Sequence, residues 1–240
     1  MVIEFLKSKV NVLFLSLSSI IFFLILFFFI KNAGIDGDDN YKYLHWSHNI
    51  FSENYYSILF RPFFYLYGKI SLILFNNSDY SIKLSNLFLH VFNFNLVFYL
   101  AYKKTNNYFL PVTVSLMYLL NPFLIGALFN EETTVISISL IILNTILFFQ
   151  IVLNLQMGQT SKNQFLILGL LGCLLFLTHE ELVMVFFLNI IFFGWFFYDK
   201  LKKNLFFSIF WFVIFFTTFY FLFADEEFLK KTISLILNVI

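Results

Sequence analysis

The sequence predicts an all-α integral membrane protein of about seven transmembrane helices, with juxtamembrane helices in the first outer loop. Three observations predict it. Of the 240 residues 60% are hydrophobic and only 12% are charged, about half the roughly 25% charge of an ordinary soluble domain. Mean hydropathy is +0.85. Apolar runs occupy about 10–30, 80–102, 108–129, 133–153, 164–178, 181–198 and 204–223, and most approach the ~20 residues that a spanning helix needs. Backbone in lipid must satisfy its own amides, so such runs are helices.

The run at 10–30 follows a charged start, MVIEFLKSK. It exceeds the apolar core of a signal peptide and is not followed by a small-residue cleavage site, so it reads as a retained signal anchor. The next stretch, 32–79, is the one connection long enough to build a site, and forms the first outer loop. Within it 55–76, YYSILFRPFFYLYGKISLILFN, is apolar but interrupted by Arg61, Pro62, Gly68 and Lys69. Charge bias decides its course. Lysines cluster at Lys7 and Lys9, Lys103 and Lys104, Lys162, and Lys200, Lys202 and Lys203. Acids cluster at Asp36, Asp38 and Asp39, at Glu131 and Glu132, at Glu180 and Glu181, and at Asp225, Glu226 and Glu227. Positive loops stay in the cytoplasm. If 55–76 does not cross, every lysine cluster falls inside and every acidic cluster outside, with the N-terminus cytoplasmic. The segment is therefore expected to lie along the outer surface or to re-enter it, with Arg61 and Lys69 snorkelling. The last run, 232–240, makes about two turns and cannot cross a ~30 Å core; the reading is a chain truncated at its C-terminus or a last helix lacking its end. The whole of 1–240 reads as a single transmembrane module.

Net charge is +1, which gives no basic field for nucleic acid. The single cysteine, Cys173, lies inside an apolar run and reads as a small packing residue. Walker loops, zinc-protease pairs and Gly-x-Ser-x-Gly elbows are absent from the sequence.

Polar chemistry is scarce, and its densest patch is 34–49, GIDGDDNYKYLHWSHN. Asp38 and Asp39 there suit a general base or a hard divalent cation; capping of the next helix is the simpler role. Tyr41 beside them is a candidate substrate contact. Glu131 and Glu132 in FNEETTV, and Glu180 and Glu181 in LTHEELV, stand at helix starts, where the dipole alone favours acids. The functional alternative is convergence of these acids on one outward cavity, with Glu131 and Glu132 as candidate metal ligands. The outer cations are Arg61, Lys69, Lys83 and His179. Lys83, in SDYSIKLSN, is a site candidate because a cation at that depth is costly, and a lipid phosphate would be its partner. His45 and His48 have metal-ligand spacing but stand beside Trp46, so interfacial anchoring is the simpler role. Asn86, His90, Asn93 and Asn95 lie in or near the second run and read as interhelical hydrogen-bonding groups.

In this order the features resemble the N-terminal part of a glycosyltransferase-C superfamily enzyme, of the protein O-mannosyltransferase and bacterial aminoarabinose transferase type (family 39-type). The resemblance rests on a span followed by the acidic pair in DGDDNYKY, then RPFFYLYGKISLILF. After these come a span with a basic residue near its start, NSDYSIKLSNLFLHVFNFNLVFYLAY, a span with proline near its end, LMYLLNPFLIGALFNEE, and the turn LTHEE. Three departures stand out. Arg61-Pro62 replaces a Pro-Pro, Lys83 stands where arginine is commoner, and His179 replaces a lysine. The resemblance implies sugar transfer from a polyprenyl-phosphate donor to an acceptor, glycan or protein, on the outer face of a bacterial inner membrane. It implies Asp38 or Asp39 as base, and Arg61, Lys83 and His179 at the lipid phosphate. It also implies Glu131 closing the cavity or holding a divalent metal ion. Two other functions fit the composition: a non-catalytic membrane subunit or pseudoenzyme of a glycan pathway, and a flippase or transporter of a polyprenyl-linked glycan. A transporter needs polar groups at mid-membrane depth, whereas the acids here sit at the ends of runs.

Overall fold

A computed structural model of the chain describes residues 9–32, 45, 47, 62–75, 80–105, 109–128, 134–159 and 161–223. Among these the regular structure is all helical. In chain order the helices are α1 (Lys9–Asn32), α2 (Pro62–Leu74), α3 (Ser81–Thr105), α4 (Phe109–Leu119), α5 (Pro122–Leu128), α6 (Thr134–Gln156), α7 (Lys162–Thr178) and α8 (Val183–Phe223), with a 3-10 turn at Glu180–Leu182. Three stretches are long and apolar enough to cross a membrane: Ser81–Lys103, Thr134–Gln156 and Lys200–Phe219. The bent pair α4 and α5 makes a fourth if it counts as one span. Leu13–Phe29, Phe63–Leu74, Lys162–Thr178 and Val183–Tyr198 are apolar but shorter. These apolar helices are consistent with a membrane protein, and the described parts of the apolar runs are mainly helical.

The chain divides into two compact units, Met1–Leu44 with Ile70–Ile142 and His45–Lys69 with Leu143–Ile240. In the first unit α3 is the central helix and packs on α1 and α4. Leu26, Leu87, Ala127, Leu128 and Val135 form its apolar core. Phe14 of α1 meets Phe94 and Phe98 of α3 at 6.3 and 5.1 Å. The other side of α1 is greasy and uncovered, Leu17, Ile21, Leu24 and Phe28 being exposed, as a lipid-facing helix requires.

The run at 108–129 is not one straight helix. It bends by 48° between α4 and α5, and the sequence Asn121-Pro122 explains the break. Pro122 is the first residue of α5, where its missing N–H costs nothing. Asn121 caps the new helix, its Oδ1 accepting from the N–H of Phe123 at 2.9 Å and of Leu124 at 3.3 Å.

α2 is 13 residues long, about 20 Å at ~1.5 Å per residue, too short to cross a core of ~30 Å. Pro62 opens it.

In the second unit α8 is continuous by hydrogen bonding but is a hairpin. Phe197 is non-helical, with φ −137° and ψ 18°. Phe186 and Phe212 stack at 5.0 Å, although a straight helix would hold them about 39 Å apart. Val183–Tyr198 and Lys200–Phe219 are therefore antiparallel arms, as the separate runs at 181–198 and 204–223 led one to expect. The turn carries exposed Trp195, Tyr198, Lys200, Lys202 and Lys203, a composition that suits a membrane–water interface.

α7 packs on this hairpin through small residues. A Cβ on Gly169 would meet the Ser208 carbonyl, and would lie 3.1 Å from the Phe212 nitrogen; one on Gly172 would strike the Phe186 ring. Cys173 is fully buried, a packing residue as expected. The end of α6 is closed by Gly158 at φ +73°. Its N–H bonds to Leu155 O at 3.1 Å, and Gln159 N–H bonds to Asn154 O at 2.8 Å, the pairing of a Schellman cap.

Candidate functional site

The described polar chemistry concentrates on one face of α3. Lys83, Asn86, His90 and Asn93 follow a 3-4-3 spacing, which places them in one stripe along a helix. All four are buried, Lys83 at 1% and the others at 0% exposure. The stripe runs from the first turn of α3 to its middle, about 15 Å. Polar side chains buried in a membrane helix face the bundle, and an ionisable one is a functional candidate by default.

Each contact follows from a local need. Leu119, at the end of α4, has a carbonyl without a donor further along its own chain. Pro122 has no N–H, and those of Phe123 and Leu124 go to Asn121 Oδ1. His90 Nε2 lies 3.4 Å from that carbonyl, and its ring stacks on Tyr118 at 4.9 Å and faces Phe22 at 6.1 Å. Asn93 Nδ2 donates to Ser139 Oγ at 2.9 Å, and Ser139 donates in turn to Val135 O at 2.9 Å. Asn95, on another face, donates to Ser19 Oγ of α1 at 3.0 Å and to Val91 O. The expectation that these residues tie helices together holds for His90, Asn93 and Asn95.

Of the site residues expected from the sequence, three are described. Lys83 is buried in the first unit, so it does not snorkel outward. Lys69 on α2 is half-buried, and belongs to the second unit with His179. His179 is half-buried and ends α7. Its backbone is extended and its N–H bonds to Leu175 O at 3.0 Å, while its carbonyl receives the N–H of Leu182 at 2.9 Å. The turn LTHEE is thus a helix end joined to the 3-10 turn that starts α8. Asp38, Asp39, Tyr41, Arg61, Glu131 and Glu132 lie outside the described residues, as do His48 and the run at 232–240. Among the described residues no three His, Cys, Asp or Glu side chains gather as metal ligands.

Sequence reading grouped Asn86, His90, Asn93 and Asn95 as interhelical hydrogen-bonding groups and treated Lys83 apart from them. The 3-4-3 spacing of Lys83, Asn86, His90 and Asn93 was the signal that joins these four. The second unit has its own cavity, an open groove of about 550 Å³ lined by Phe148, Leu188, Asn189, Ile191, Phe192, Trp195 and Phe196. Asn189 is its one amide, and donates to Asn144 Oδ1.

No protein-family model, curated protein or solved structure matches the chain.

Proposed function

We propose that the chain is a membrane glycosyltransferase of the glycosyltransferase-C kind, moving a sugar from a polyprenyl-phosphate donor to an acceptor on the outer face of a bacterial inner membrane. The observation that carries this reading is Lys83, an ammonium group at 1% exposure in the first turn of a membrane-spanning helix. An ionisable side chain there is costly in lipid and is a functional candidate by default. The order of motifs in the sequence supports the same reading.

A departing prenyl phosphate gathers negative charge, which a fixed cation stabilises. Lys83 fills that role in this reading, and Arg61 and His179 are the other candidate cations that the sequence offers. Asp38 or Asp39 takes the proton of the acceptor hydroxyl. Tyr41 and Lys69 are further candidate contacts for the donor. Glu131 and Glu132 are the candidate ligands for a divalent metal ion, and no step here depends on one. Seven spans with the N-terminus inside, which bring the acidic loops to the outer face, belong to the same proposal.

The test is transfer by the purified chain in liposomes, with radiolabelled polyprenyl-phosphate sugar as donor. Label should reach an added acceptor, and Asp38→Asn or Asp39→Asn should cut the rate by about a hundredfold, within the usual range for losing a general base. Full rates in both variants would remove the acid–base role. Absence of transfer by the native chain would favour the non-catalytic subunit.

One observation favours a rival, the glycan transporter. The α4–α5 span is broken, and buried polar side chains stand beside the break, an arrangement that transporters use for substrate sites. Movement of labelled lipid across the bilayer without sugar transfer would select it.

A further inference from the structure

His90 and Asn93 point two hydrogen-bond acceptors into the first unit, and the surrounding contacts fix both as acceptors. A carbonyl only accepts, so His90 Nε2, facing Leu119 O, carries the ring proton. Nδ1 of the neutral ring is then a bare lone pair. The Ser139 hydroxyl has one hydrogen, and Val135 O takes it. Asn93 must therefore turn its nitrogen to Ser139, and the same amide also bonds to the Tyr118 side chain, which leaves its Oδ1 as the second acceptor. Nδ1 and Oδ1 are buried, and neither has a hydrogen-bond partner among the described residues. Residues three apart on a helix are surface neighbours, with Cβ atoms about 5–6 Å apart.

We propose that His90 and Asn93 form a binding site for one water molecule beside the break in the α4–α5 span. The chemistry selects the ligand. Two acceptors a turn apart call for a molecule that brings two hydrogens, and water gives one to each. An alcohol brings only one. A metal cation needs more oxygen ligands than these atoms supply. The location gives the water a purpose. The bend frees the Leu119 carbonyl from its helix, His90 answers it, and water then answers His90. Irregular backbone at membrane depth is tolerated where such groups are satisfied inside the protein. The proposal is independent of whether the chain transfers sugar.

Hydroxyl radicals made by X-ray radiolysis convert bound water into a local oxidant, and so report on water at buried side chains. The experiment irradiates the purified full chain in detergent, in ¹⁸O-labelled water, and maps label by mass spectrometry. Phe94 and Phe98 are internal controls, aromatic rings on the same helix and buried to the same 0%. His90 should take up label about fivefold faster than either, as expected where an ordered water touches the ring. In Asn93→Leu the His90 rate should fall to that of the two phenylalanines. A native His90 no faster than Phe94 and Phe98 would overturn the proposal, and this arm decides alone if the variant does not fold. A folded variant with an undiminished His90 rate would overturn it as well, since Asn93 would not hold the water.

Discussion

The two units are built from the same greasy composition but are held together differently. In the first unit a polar stripe on α3 reaches across to its neighbours: His90 to Leu119, Asn93 to Ser139, Asn95 to Ser19. In the second unit α7 meets the α8 hairpin through glycines and stacked rings. Gly169 and Gly172 admit Ser208 and Phe186, while Phe186 stacks on Phe212 and Phe176 meets Phe216 at 5.2 Å. The hydrophobic effect does not draw helices together in lipid, so close packing and interhelical hydrogen bonds are the remaining means. Packing tolerates no added atoms, whereas a hydrogen bond can be lost at modest cost.

That contrast is breakable. The largest effect is expected from Gly169→Leu, whose side chain must displace the Ser208 backbone. It should destabilise the second unit by about 3 kcal/mol, the upper part of the overpacking range, read as unfolding of the purified protein in mixed micelles. A cost near zero would mean that α7 does not pack as described. Ser139→Ala should cost about 1 kcal/mol, because it leaves the buried Asn93 amide without its acceptor. Replacing both Asn144 and Asn189 by Leu should cost about 0.6 kcal/mol or less, the average for a hydrogen bond between membrane helices. A double variant costlier than Gly169→Leu would invert the comparison.

The helices were legible because long apolar runs leave little choice of backbone in a membrane. The hairpin in α8 was legible too, since Lys200, Lys202 and Lys203 interrupt the greasy run. The 48° bend was not anticipated, although Asn121-Pro122 carries its signal as a cap followed by a proline at the first helical position. Reading that run as one straight span ignored local backbone chemistry. The buried stripe was missed because Lys83 was weighed apart from Asn86, His90 and Asn93, which were grouped with Asn95 without regard to helix face. Spacing shows that the first four share a face, but only packing shows that the face is turned inward. The loop containing Asp38 and Asp39 was chosen for its density of polar side chains. The described structure instead draws attention to Lys83, a cation at 1% exposure on the buried polar stripe of α3, whose burial no composition count reveals.

The central claim is that Lys83 meets a prenyl phosphate, and binding tests it without requiring catalysis. Radiolabelled polyprenyl phosphate would be titrated against the purified native chain, Lys83→Arg and Lys83→Met in detergent, with folding checked by circular dichroism. The account predicts that Lys83→Met binds about tenfold to a hundredfold more weakly, the loss of one charge-assisted contact, while Lys83→Arg stays close to native. Native-like affinity in a folded Lys83→Met would contradict it.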